Sequence, residues 1–183
     1  MSVAIQNKMG ERVIGASVFV SVSGWRLYEA VRDVQNFPSW APGVRRVEVL
    51  EGPAGSGMIS EWEVSFLGLK RRLLSVLEED EPAAFLRWTY EGPITGWGEC
   101  VIKSSGYGAL AEFRTVLSPV DPRLQRLMRS AFVRDAAYGH LKRSLAQLGR
   151  LVSGGGGRVV VGPPTNLARP REREEFLPRR VAV

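Results

Sequence analysis

Few side chains in this sequence have the type and setting to do chemistry, and the gaps inform as much as the residues. His140 is the only histidine and Cys100 the only cysteine. A metal site would need carboxylates for the rest of its ligands, and neither a zinc ribbon nor a CxxC redox pair is possible. No metal or other cofactor is expected. His140 falls in a helix-period run and no serine sits in a Gly-x-Ser-x-Gly elbow, which removes the Ser-His-Asp route to hydrolysis. Gly154 to Gly157 is not followed by Gly-Lys-Ser/Thr, so it reads as a linker and not as a phosphate loop. What remains is phenol chemistry: Tyr90 or Tyr138 could orient a carbonyl or donate a proton in an aldol-type cyclisation or dehydration. Arg87 and Glu99 read as a cross-strand charge pair on the outer face of a sheet, joining a pocket only if local twist turns them inward. His140 reads as a partly exposed helix residue and Cys100 as a small buried one.

These groups need a scaffold, and the hydropathy pattern supplies it. From Arg12 to Val22, the residues Val18, Val20 and Val22 alternate with Phe19 and Ser21, the period of a strand. Ser23 caps a short helix whose Leu27, Tyr28, Val31 and Val34 share one face. Asn36 to Gly43, with Pro38 and Pro42 around Phe37 and Trp40, reads as a tight turn or single helical turn pinned by two aromatics. Six more strand-like runs follow: Arg45–Glu51, Met58–Leu67, Leu69–Glu79, Ala84–Glu91, Thr95–Ser105 and Ala109–Ser118. Their breaks are too short for parallel crossovers, so a seven-stranded antiparallel meander is predicted. Asp121-Pro122 opens a last helix. Its apolar stripe runs from Leu124 through Met128, Tyr138, Leu141 and Leu148 to Val152, about 45 Å at 1.5 Å per residue. The fold class is α+β, with one long helix lying across a curved sheet.

Alternation assigns the aromatics to a face. Trp62 and Phe66 fall opposite Glu61 and Glu63; Trp88 and Tyr90 fall opposite Arg87 and Thr89; Phe113 falls opposite Glu112 and Arg114. Each therefore points inward. Trp97 shares its face with Glu99 and Lys103 but lies near a strand end, where a pocket mouth would be. Met128, Phe132 and Tyr138 would supply the helix side. Indole and phenol rings suit a pocket because they combine apolar area with one hydrogen-bonding edge. The expected lining is Trp62, Phe66, Trp88, Tyr90, Trp97, Phe113, Met128, Phe132 and Tyr138.

The order strand, two short helices, six-strand meander and long C-terminal helix resembles the helix-grip fold of the START-like (SRPBCC) superfamily. Asp33-Val34-Gln35-Asn36-Phe37-Pro38-Ser39-Trp40, then Pro42 and Val47-Glu48-Val49-Leu50-Glu51, is similar to the segment that joins the short helices to the second strand in its polyketide cyclase/dehydrase-like and coenzyme Q-binding-like members. Leu67-Gly68-Leu69-Lys70 is similar to their turn between the third and fourth strands. The resemblance covers roughly residues 11–152. It implies an internal cavity that sequesters, carries or presents a lipid, polyketide, isoprenoid quinone or other bulky apolar molecule. It leaves open a metal-independent cyclase or dehydratase acting on such a molecule.

The boundaries read as an N-terminal extension over 1–10, a START-like ligand-binding domain over 11–152, and a flexible Gly/Pro/Arg-rich tail over 153–183. A Val159-Val160-Val161 run within the tail is short for an edge strand on a glycine tether. Hydrophobic residues at 44% and charged residues at 24% are ordinary for a globular chain. No run approaches the ~18 apolar residues of a membrane span, and Met1–Gly10 lacks the order of a signal peptide. A cytoplasmic protein is the expectation. The net charge of +6 does not make a nucleic-acid binder, because basic residues of the tail alternate with Glu172, Glu174 and Glu175. The same alternation weakens any peripheral membrane contact through Arg169, Arg171, Arg173, Arg179 and Arg180 beside Phe176 and Leu177.

Overall fold

The computed structural model describes residues 5–6, 12–66 and 68–167. Ile5–Gln6 (β1) pairs antiparallel with one end of Arg12–Val20 (β2). Ser23 then caps Gly24–Arg32 (α1) through an Oγ that accepts from the Arg26 amide, and Leu27, Tyr28 and Val31 are its buried stripe. The Tyr28 hydroxyl donates to Asp80, and Arg32 Nε donates to the other Asp80 oxygen at 2.8 Å. Burial first, and then Asp80, push the Tyr28 hydroxyl up to about 12. A 3-10 turn, Val34–Asn36, leads into the single turn Phe37–Trp40 (α2).

The meander follows as Val44–Glu51 (β3), Ile59–Phe66 (β4), Leu69–Glu81 (β5), Phe85–Glu91 (β6), Ile94–Ser105 (β7) and Gly108–Pro119 (β8). Every pairing is antiparallel, in the order β1-β2-β8-β7-β6-β5-β4-β3. Register shifts between Val44 and Arg46, between Val49 and Glu51, and between Leu77 and Glu79 add local bend and twist, as bulges do. Residues of β2, β4, β5, β6 and β8 thereby line one shared space.

The α+β helix-grip architecture predicted above is what the chain adopts, with three differences in detail. The last helix is two helices, Pro122–Met128 (α3) and Ala131–Ser153 (α4). Ser130 interrupts the stripe because its Oγ accepts from the Val133 amide at 3.3 Å, and that local bond starts a new helix where periodicity alone would continue the old one. α4 is thus about 35 Å long, not 45 Å.

The described sheet has nine strands where seven were predicted, since β1 and Val159–Gly162 (β9) add to it. β9 pairs with β2 from Ser17 to Val20, and so covers backbone groups that an edge strand would leave open. Gly154, at φ 62°, closes α4 in the left-handed region. Gly149 makes room on α4, because a Cβ there would collide with Val159.

The expectation of a flexible tail from residue 153 is corrected as far as 167. Ser17 Oγ donates to the Pro163 carbonyl at 2.7 Å. The Thr165 amide and hydroxyl, each at 2.6 Å, and the Leu167 amide at 3.1 Å all donate to Glu112 Oε2. The rest of the expected tail, 168–183, and most of the expected N-terminal extension lie outside the described residues.

Candidate functional site

The concave face of the sheet, α2, α3 and α4 enclose a cavity of about 270 Å³. Five rings meet along its wall. Phe37 lies 4.2 Å from Trp40, 4.7 Å edge-on from Trp62 and 6.4 Å from Trp88, and Phe113 lies 6.3 Å from Trp40, all between ring centroids. Their polar edges are mostly spent on the protein. Trp62 Nε1 donates to Ser60 Oγ at 2.8 Å, and Trp88 Nε1 donates to the Tyr90 hydroxyl. The Trp88 indole lies over Gly98 across the β6–β7 pair, where any Cβ would strike it. What remains facing the space is predominantly apolar.

Polar groups in the wall are few. Burial pushes the Tyr90 hydroxyl up to about 12, against the opposing effect of its bonds with Trp88 and Thr115. The phenol is neutral at ordinary pH and already engaged, which suits a fixed wall better than a proton donor. Arg71 lies opposite Val64 on the cavity side of the β4–β5 pair, with its Nη1 turned to the Lys70 carbonyl at 2.8 Å. His140 lines the cavity, edge-on to Phe66 at 6.0 Å. Its Nε2 packs against Gly43 and is buried without a hydrogen-bond partner, as is Trp40 Nε1. Burial, and secondarily Arg143, lower the His140 pKa below the ordinary histidine value. Its ring is therefore neutral near pH 7.

Among the described residues of this wall, no nucleophile is paired with a base. Cys100 is fully buried outside the lining, and burial first, then Glu99 and Glu112, push its thiol well above the ordinary range. Among the described residues no cluster of three or more His, Cys, Asp or Glu side chains could hold a metal.

With this geometry in place, the relatives of the chain take on meaning. Residues 20–118, more than half of the sequence, match the family described as polyketide cyclase/dehydrase and lipid transport. The chain belongs to that family. No curated protein matches it in sequence. Among solved structures, a protein of Thermus thermophilus superposes with a TM-score of 0.68 at 21% identity, over 79% of this chain and 99% of that one. A START superfamily protein from Mycobacterium smegmatis gives 0.66 at 14% identity, over 78% and 97%. The Zhui aromatase/cyclase of Streptomyces sp. R1128 gives 0.64 at 19%, over 80% and 99%. At these identities the likeness is one of fold.

Within this polyketide cyclase/dehydrase family member, the expected lining residues divide in two groups. Trp62, Phe66, Trp88, Tyr90, Phe113 and Met128 line the cavity. Trp97, Phe132 and Tyr138 do not. Trp97 follows strict alternation to the outer face, where the Arg87 guanidinium stacks 5.2 Å from its ring. Phe132 is 74% exposed because the restart of the helix at Ser130 turns it outward. Tyr138 is half-buried against the core with Lys142 Nζ 5.5 Å over its ring, so the two catalytic candidates, Tyr90 and Tyr138, do not converge on one space.

The expected Arg87–Glu99 pair is present on the outer face at 3.8 Å, but Glu99 is wholly buried and shared with Arg114 at 3.3 Å. Phe37, Trp40, Arg71 and His140 are lining residues that alternation missed. For Phe37 and Trp40 the available signal was two aromatics held in a proline-flanked turn. His140 lacked one, because its exposure depends on how α4 is rotated against the sheet.

Proposed function

We propose that this protein binds a hydrophobic small molecule inside the cavity and sequesters, carries or presents it. The observation that carries the reading is about 270 Å³ of unfilled space with an overwhelmingly apolar wall, in an interior that close packing would otherwise fill. A cavity of roughly 150 Å³ accepts one benzene ring. This one therefore suits a ligand of about two rings, or the leading portion of a longer isoprenoid or acyl chain whose remainder passes out through the mouth. Trp40 Nε1 and His140 Nε2, the unpartnered polar atoms of the wall, favour a ligand with one hydrogen-bonding group over a bare hydrocarbon.

Native mass spectrometry of freshly purified protein is expected to reveal a co-purifying apolar molecule. A titration with 1-anilinonaphthalene-8-sulfonate should then give saturable fluorescence that added lipids, quinones or aromatic polyketides displace. A protein that is empty and fails to bind the dye or any member of such a panel would refute the reading.

The family description also names cyclase/dehydrase chemistry, and Tyr90 is the candidate that faces the cavity. Under that second reading, Tyr90→Phe lowers turnover far more than ligand affinity. Its raised pKa and its existing bonds favour the binding reading over this one.

A further inference from the structure

We propose that the open end of the cavity is a docking face for a lipid surface carrying anionic headgroups. The purpose of the docking, loading or unloading of an apolar ligand, rests on the binding reading above, whereas the docking itself can be measured separately.

The first observation is an apolar rim without cover. α3 contains no buried residue, although Leu124, Leu127 and Met128 line the cavity. Leu127, 48% exposed, and Leu69, 41% exposed, line the same cavity and face solvent, which places both at its mouth. Val120, just before α3, is 59% exposed and Phe132, just after it, is 74% exposed. Large apolar side chains scattered singly over a surface mean little, but Leu69 and Leu127 meet at a cavity opening, with Val120 and Phe132 flanking α3 in the chain, and such a group marks a contact face.

The second observation is charge. Arg123 and Arg126 are exposed on α3, and Lys70 is exposed beside Leu69. Of the acids near α3, Asp121 caps it by accepting from the Arg123 amide at 2.8 Å, and Asp135, on α4, lies 3.7 Å from Arg134 Nε. Glu63 stands opposite Arg72 across β4 and β5, and Lys70, Arg123 and Arg126 are exposed cations close to the rim, with Arg71 in the cavity wall behind Lys70. Cations interleaved with exposed apolar groups on a short, lightly packed helix suit a headgroup boundary, where the apolar side chains enter and the guanidinium groups meet phosphates. An acidic protein would satisfy the charges but leave the apolar rim and the opening behind it unexplained. A lipid surface accounts for all three, since an apolar ligand can pass between bilayer and cavity without crossing water.

The test is co-sedimentation of the full chain with vesicles of phosphatidylcholine alone and with about one-third phosphatidylglycerol. Binding is expected with the anionic vesicles and should fall steeply with added salt. The pair R123E and R126E should weaken it by more than tenfold, since each cation near an anionic surface is worth about fivefold. Phe132→Ser should weaken it by about tenfold through lost apolar burial. None of these three residues lines the cavity, so saturable binding of 1-anilinonaphthalene-8-sulfonate should be unchanged in the variants, which keeps a failure of docking distinct from a failure of ligand binding. Neutralising Arg171, Arg173, Arg179 and Arg180 in the full chain should leave vesicle binding intact. The proposal is overturned if the protein ignores both vesicles, if binding survives the rim substitutions, if it disappears with the tail arginines instead, or if only an acidic protein is bound.

Discussion

The two faces of the sheet bury side chains in opposite ways. On the concave face, rings from α2, β4, β6 and β8 surround unfilled space, and of the polar groups there Trp88 bonds to Tyr90 while Trp40 Nε1 and His140 Nε2 are left without a partner. On the outer face, Phe85 and Val101 are buried beside Glu99 and Glu112, both carboxylates being fully enclosed. Arg114 holds Glu112 at 2.5 Å and Glu99 at 3.3 Å, while residues 163–167 lie across them and supply three further donors to Glu112. One face keeps volume and forgoes polar specificity; the other is a network of paired charges that ties down the chain after α4. Paired charges fix a register because any misfit leaves one of them buried and alone, whereas an apolar wall can keep a gap at a modest cost in lost contacts.

The sharpest way to break this contrast is Glu112→Ala. It leaves Glu99 as the one carboxylate paired with Arg114 and removes the acceptor that Thr165 and Leu167 share, and a loss of about 3 kcal/mol is expected in urea unfolding. A loss below about 1 kcal/mol would mean the network is ornamental. Next comes the same change made on each face. Val101→Phe overfills the closed outer face and should cost about 1–3 kcal/mol. Val64→Phe, in the cavity wall, should cost under about 1 kcal/mol because the gap absorbs the added volume. It should instead weaken binding of the dye or ligand by more than about tenfold. Equal stability losses at both sites would show the concave face to be as tightly filled as the other.

Two smaller effects come from pH. Burial alone would raise the Glu112 pKa, but the bonds from Thr165, Leu167 and Arg114 together hold it below the ordinary value of 4.5. Its contribution to stability is therefore complete above that unfolded-state value and drains away as pH falls through the lower folded value. Below about pH 5 the native chain should lose stability more steeply than Glu112→Gln, as measured by thermal melts across the range. His140 behaves in the same direction for a different reason. Its folded pKa lies below the ordinary 6.5, so between the two values the unfolded chain binds more protons and stability rises with pH. His140→Gln should flatten the melting profile between pH 7 and the acid limb. An unchanged profile would place the imidazole in contact with water.

Much of the scaffold could be read before any coordinates. Strand after strand alternates strictly enough that Trp62, Trp88 and Phe113 could be assigned to the concave face, because side chains on a strand have only two directions to take. Ser23 and Asp121 announced their helices because a capping oxygen acts within three residues of itself. Trp97 teaches the limit of overriding that rule, since its alternation was right and the argument from its place near a strand end was not. The break at Ser130 and the outward turn of Phe132 were hidden because a helix stripe looks continuous in sequence even where a hydroxyl restarts it.

What the sequence determined by itself is therefore most of the local choices: which segments of the meander extend, where α1 and α3 begin, and which face of a strand is apolar. Only the tertiary structure decided the docking of β9 on β2, the burial of Glu99 and Glu112 beneath residues 163–167, and the approach of Phe37, Trp40 and His140 to a shared space. These depend on residues far apart in the chain meeting through chain reversal, and their energies come from contacts and desolvation that do not exist until the sheet has curved and α4 has settled onto it.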